Sequence, residues 1–408
     1  MSTRVVVTGA GLVSALGDTP QALHRALLEG RSGLGPIELF ETGPLGPLHG
    51  GEIKGFAPQD YLGKKNFRPL NRIAQITAAA AQQTLKASGW SVEAREQQEV
   101  GFVLGTMFCS VHTITAFDRH ALTAGPSYAS PLDFANTVIN AAAGQTAIWH
   151  GLRGVNSTIA TGPSSGLQAL GYAADLIRTG RAKALLAGGA EELCFESAYG
   201  LQRAGLLADT VGAARPFDAR RGGFAVAEGA AFLMLEELAS ARQRGAQILA
   251  EIKGHASGYD ISRGQDQTKV VEVLSRTLCQ ALENAGIQAD QVDAVSASAN
   301  GSQGQDRCEA LALAEVFEAR PGIPVTAIKA ALGESLGAGG ALQAVDLLET
   351  MEDGVLPGVA GFERGDADAP LKGVSRENRP VDLGNGLLSA TGFDGHCAAL
   401  ILGRPEGI

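Results

Sequence analysis

Aromatic residues are scarce in this chain, 5% of 408 residues, and its five cysteines are scattered. Cys109, Cys194, Cys279, Cys308 and Cys397 form no CxxC and no metal-type spacing. An odd, dispersed set argues against a disulfide framework and against structural zinc. The seven histidines are equally dispersed, and no HExxH occurs. Basic runs are also missing, and the net charge is −10, which disfavours a nucleic-acid partner. No stretch approaches the ~18 apolar residues of a membrane span. Met1 to Arg4, followed by Val5-Val6-Val7, is too short an apolar run for a signal peptide. These absences lead to the expectation of a cytoplasmic protein with no membrane partner, no metal and no cofactor.

What is abundant is glycine, 54 residues, in a chain that is 45% hydrophobic. That composition suits close backbone packing in an α/β protein. Strand patterns at Val5–Thr8, Glu99–Gly105, Asn156–Thr161, Ala182–Ala187 and Ala230–Leu235 alternate with helical segments at 18–30, 71–89 and 167–179. Gly9-Ala10-Gly11 after the first strand looks like a dinucleotide fingerprint. It lacks the third glycine and the acidic residue of a second strand, so that reading is set aside. Ser164-Ser165-Gly166-Leu167-Gln168-Ala169 and Gly339-Gly340-Ala341-Leu342-Gln343-Ala344 echo each other, each a small-residue turn that opens a helix. A duplicated architecture explains the echo.

The chain resembles the β-ketoacyl-acyl-carrier-protein synthase family over nearly its whole length. The residues that carry the resemblance are Val7-Thr8-Gly9-Ala10-Gly11, Leu185 to Glu191, Arg215-Pro216-Phe217-Asp218 leading to Glu228-Gly229-Ala230, Lys329 to Gly340, and Gly392-Phe393-Asp394-Gly395. Each is weak alone, and their shared order is the signal. The resemblance implies an α/β, thiolase-like fold of two pseudo-symmetric halves, near 1–240 and 241–408. Five-stranded sheets would stack between helix layers, and the family is dimeric.

Active members of the family use a cysteine at a strand-to-helix turn and two histidines. In this chain the cysteine position falls on Pro163, within Thr161-Gly162-Pro163-Ser164-Ser165-Gly166. Proline suits a helix's first turn but has neither a nucleophile nor an N–H for an oxyanion hole. Losing one such donor costs about 10²–10³ in rate. The first histidine position is Ser298, ahead of Asp306 and Glu309, and the second is Glu334. A hydroxyl cannot take up an imidazolium's charge, and an ionised carboxylate donates no hydrogen bond. Lys329 is retained, and an internal ion pair with Glu334 is expected. Gly222 replaces an acidic residue before Gly223-Phe224, Ala227 replaces a glycine, and Asp394 enters the gate loop beside Phe393.

Retained shape with a deleted reaction implies a catalytically inactive ketosynthase-like subunit, a chain length factor. Such a subunit pairs with an active ketosynthase in type II polyketide synthesis and limits chain growth. Two alternatives are an acyl-processing enzyme using Ser164 or Ser165 with Glu334 as base, and a decarboxylase-only initiating ketosynthase, which would keep both histidines. The segment Thr106 to Arg119 is expected to line the channel and interface through Phe108, Val111, His112 and Thr115, with Cys194 and Phe195 nearby. Cys109 with His112 could form a site, but packing at an interface is the simpler account; His396 and Cys397 read as structural. Lys64, Lys65, Arg68 and Arg72 form a basic cluster that reads first as a solvated face. By resemblance the cluster could meet an acidic acyl carrier protein, docked directly or through the partner.

Overall fold

The computed structural model describes residues 3–64 and 66–405. The ten-residue opening strand β1 (Val5–Ser14) is buried along its whole length. Gly9-Ala10-Gly11 lies inside this strand, so no helix N-terminus faces a phosphate there. A Cβ on Gly9 would come within 2.7 Å of Ser88, and one on Gly11 would strike the backbone of Thr84. The two glycines therefore let helix α1 (Arg72–Ala87) lie directly on the strand. Asn71 caps that helix by accepting from the Ala74 N–H.

The remaining strands of the main sheet are β2 (Gly101–Gly105), β3 (Asn156–Ile159), β4 (Ala184–Glu191), β5 (Gly229–Glu237), β6 (Ala250–Tyr259), β7 (Ala294–Ser296), β8 (Val325–Thr326), β9 (Asn385–Thr391) and β10 (His396–Gly403). Their spatial order is β8-β7-β9-β10-β6-β1-β5-β4-β2-β3. Within each set of five the order is third, second, fourth, fifth, first. The third, second and fourth strands are parallel, and the fifth is antiparallel to both its neighbours. Identical order and direction in both sets is the duplication that the sequence echo indicated. The fold is thiolase-like α/β, as expected. The two sets also join edge to edge where β1 pairs with β6, at Val6–Glu251 and Val7–Ala250.

After α2 (Val111–Ala124) and α3 (Ala141–His150), the echo segments form α4 (Ser165–Arg178) and α8 (Gly339–Asp353), which pack on each other between the two sheets. Close approach is possible because a Cβ on Gly340 would sit 2.8 Å from Leu167. Helices α1 and α3 cover the outer face of the first sheet. On the second sheet α6 (Gln267–Ala285) does the same, with α7 (Gln303–Val316) packed beside it. The short helix α5 (Phe195–Arg203) follows β4. Three apolar cores result, one between the sheets and one under each outer layer. Among the described residues no helix is long and apolar enough to cross a membrane.

Candidate functional site

The site is built where the turns leading into α4 and α8 meet the loop that joins β9 to β10. Residues Gly162–Ser164 make one turn of 3₁₀ helix ahead of α4, and Gly162, Pro163, Ser164 and Ser165 are buried. Gly162 has φ +61°, a conformation that favours glycine. Asp394 closes over this turn: a side chain on Gly162 or on Gly392 would collide with its carboxylate. The carboxylate is held by His396, whose Nδ1 lies 2.9 Å from Asp394 Oδ2. Pro163 itself offers neither a thiolate nor an N–H.

Neither serine is poised for attack. Ser164 donates to the Thr161 carbonyl at 2.7 Å and accepts from Gln168 at 2.9 Å. Ser165 Oγ lies 2.6 Å from the Gly162 carbonyl and 2.9 Å from the Thr106 carbonyl, between which its one O–H is shared, and it accepts from the Thr161 N–H. Both hydroxyls brace the turn. No titratable base hydrogen-bonds to either of them among the described residues.

Across the site lies a buried ion pair. Lys329 Nζ is 2.9 Å from Glu334 Oε2, and the two side chains are 2% and 1% exposed. Asn300 Nδ2 donates to the same oxygen at 2.7 Å, and the Leu336 N–H donates to Oε1 at 2.9 Å. Lys329 also donates to Ser298 Oγ at 3.3 Å, and Ser298 Oγ accepts from the Thr391 N–H at 3.0 Å. Ser298 and Glu334 are thus two nodes of one network. Glu334 is buried, with two donors on Oε2 and one on Oε1.

Two further carboxylates stiffen the Ser298 loop. Glu309 accepts from the Ser298 N–H, and Asp306 accepts from the N–H groups of Asn300, Gly301 and Phe217. Burial pushes their pKa values up, to about 7 for Glu309 and about 6 for Asp306, against the hydrogen bonds that lower them. Asn300 was not singled out from the sequence. The available signal was an amide beside the Ser298 replacement, able to serve a carboxylate installed at Glu334.

The gate residues share a small separate core. Phe224 and Phe393 stack at 6.4 Å, and Met107, Phe108 and Phe195 pack into the same cluster with Leu193 and Leu336. On their outer side is a cavity of about 400 Å³. Its lining includes Leu206, Val270, Leu274, Cys308 and Phe393, together with Ser302, whose buried Oγ has no hydrogen-bond partner among the described residues. Cys194 is buried behind the gate, and burial pushes its thiol, like that of Cys109, up to about 12. Cys109 packs into the core under α1 and hydrogen-bonds with Ser110, while His112 points outward to Glu196 at 3.1 Å. Val111 and Thr115 are half-buried on α2.

Helix α2 is unlike the other long helices in having no buried residue. It carries the exposed Leu122, at 86%, and continues into a segment with Tyr128, Leu132, Phe134, Val138 and Ile139 exposed, Tyr128 at 72%. Strand β3 is an edge strand of the sheet.

The basic cluster is dispersed by the fold. Lys64 and Arg68 are exposed, whereas Arg72 turns inward to the buried Glu228, with its Nε 2.8 Å from Oε2. Lys65 lies outside the described residues. No cluster of side chains suited to hold a metal occurs among the described residues.

The β-ketoacyl synthase N-terminal domain family matches residues 2–241, and its C-terminal domain family matches 249–363. The chain belongs to the β-ketoacyl synthase family. Among its relatives, 3-oxoacyl-[acyl-carrier-protein] synthase 2 of Synechocystis sp. is 30% identical over 97% of both chains. The enzyme of that name from Coxiella burnetii is 31% identical over 98% of both. Among solved structures, the ishigamide ketosynthase/chain length factor superposes on this ketosynthase-like chain with a TM-score of 0.93 at 29% identity. That match covers 99% of this chain and 100% of the other. AntDE:AntF, a type II PKS acyl-carrier protein in complex with its ketosynthase bound to the hexaketide, gives 0.88 at 26% identity over 99% and 100%.

Proposed function

We propose that this chain is a chain length factor, a catalytically inactive partner that pairs in the cytoplasm with an active ketosynthase and helps set polyketide chain length. The observation that carries the reading is the buried Lys329–Glu334 pair facing a turn whose nucleophile position is Pro163. With that charge pair satisfied internally, no group remains to generate an acyl-enzyme or to decarboxylate malonyl. The likeness to a ketosynthase/chain length factor structure supports the same reading. So do the apolar face that begins at α2 and the open β3 edge, since a partner would cover both. Growth would stop where the partner's acyl channel meets Phe108 and His112. Carrier protein would reach the complex mainly through the partner, with Lys64 and Arg68 as the exposed basic residues of this chain.

The test is co-expression with an active ketosynthase, followed by native mass measurement and incubation with acyl-carrier-protein substrates. A 1:1 complex acylated on the partner alone is expected. A stable acyl adduct on Ser164 or Ser165 overturns the reading, as does a chain that stays monomeric beside that partner.

A further inference from the structure

The carboxylate of Glu191, the last residue of β4, is wholly buried and sits in no ion pair among the described residues. Five donors converge on it. Oε2 accepts from the N–H of Met107 at 2.7 Å and of Gly337 at 3.3 Å. Oε1 accepts from the N–H of Phe108 at 3.0 Å, from that of Cys109 at 2.8 Å, and from Thr106 Oγ1 at 3.3 Å. Three successive N–H groups turned toward one anion form a backbone nest.

The nest serves a strained turn. Between the end of β2 at Gly105 and the start of α2 at Val111, Cys109 has φ +45°. A residue with a Cβ pays roughly 1–2 kcal/mol for that conformation, so the surroundings must hold it. Met107 and Phe108 are carried on this turn, and their side chains reach the gate cluster only while it keeps its shape. The opposing loop is built in the same way. Leu336 has φ +46°, its N–H is held by Glu334, and the next N–H, of Gly337, returns to Glu191. Glu191 therefore ties the turn bearing Phe108 to the loop bearing Glu334.

We infer that Glu191 is a positioning residue for chain-length control: its carboxylate fixes the Thr106–Cys109 turn and so sets how far Phe108 reaches into the gate cluster. The inference rests on the chain-length-factor reading. It adds a buried residue that acts on Phe108 through the backbone of its turn.

The test compares product-length distributions of the reconstituted pair for the parent, Phe108→Ala, Glu191→Gln, Glu191→Asp, and Glu191→Gln combined with Phe108→Ala. An amide turns one acceptor oxygen into a donor that faces the nest, and aspartate is one methylene too short to reach all five donors. Both Glu191 variants are expected to shift the distribution toward that of Phe108→Ala, with the condensation rate per complex unchanged. In the Phe108→Ala background, Glu191→Gln is expected to add nothing, because its effect passes through Phe108; general structural damage would add. Unchanged lengths in both Glu191 variants beside a shifted Phe108→Ala overturn the inference and leave the length-control reading standing. So does an additive effect in the double variant. Failure of both Glu191 variants to assemble also overturns it, by making the residue necessary for folding instead. If Phe108→Ala itself shifts nothing, the length-control reading at Phe108 falls, and the inference with it.

Discussion

The enclosed centre around Pro163 and Glu334 and the face that begins at α2 are opposite solutions to burial. In the centre, Pro163, Ser164, Ser165, Ser298, Lys329 and Glu334 are almost wholly enclosed, and every charge has a partner. On the other face a whole helix buries nothing, and large apolar side chains stand in solvent. The large apolar surface left in solvent lies outside the centre, on α2 and the segment after it.

The largest expected effect tests the enclosed side. Lys329→Met leaves Glu334 buried without its cation and should destabilise the chain by about 3–5 kcal/mol. The double variant Lys329→Met, Glu334→Leu should recover most of that loss. Chemical denaturation of the co-expressed complex measures both. A single variant no worse than Arg404→Ala, which breaks an exposed pair with Asp382, would show that the centre is not enclosed as described. The open side comes next. Leu132→Asp together with Phe134→Asp should leave the fold's circular dichroism unchanged and weaken pairing by about 2–4 kcal/mol. Undiminished pairing in titration calorimetry would move the interface elsewhere.

A smaller effect separates members of the basic cluster. Arg72→Ala strips a partner from the buried Glu228 and should cost about 1–3 kcal/mol. Lys64→Ala and Arg68→Ala should leave the unfolding midpoint in place and alter only salt-dependent carrier-protein binding. Equal melting shifts for all three would contradict the inward turn of Arg72.

The smallest effect is a pH dependence away from both regions. His24, on the helix Pro20–Leu28, sits between Asp346 at 2.7 Å and Asp353 at 3.0 Å, both on α8. Burial lowers its pKa, but the two carboxylates outweigh burial and leave it raised above 6.5. A raised folded-state value gives stability that is complete below pH 6.5 and lost as pH rises through that value. His24→Gln should therefore be more destabilising at pH 6 than at pH 8.5. A penalty that does not change with pH would mean that His24 is held by shape alone.

The sequence by itself determined the class of fold, because strand and helix periodicities are local and the two Leu-Gln-Ala starts are visible in the chain. It also drew attention to Pro163, Ser298 and Glu334 through motif spacing, and all three are buried in the structure. Only the tertiary structure decided what those positions do to one another. Asn300, Ser298, Lys329 and Glu334 form one network because β7, α8 and their loops converge, and no local pattern encodes that convergence. The same holds for Arg72, adjacent in sequence to exposed cations but paired with Glu228, 156 residues away. The Glu191 nest is legible only in three dimensions, since its donors are backbone N–H groups that every residue except proline carries. Side-chain identity is written in the sequence. The direction of an N–H, and the exclusion of water that gives a buried charge its weight, arise only when distant segments pack.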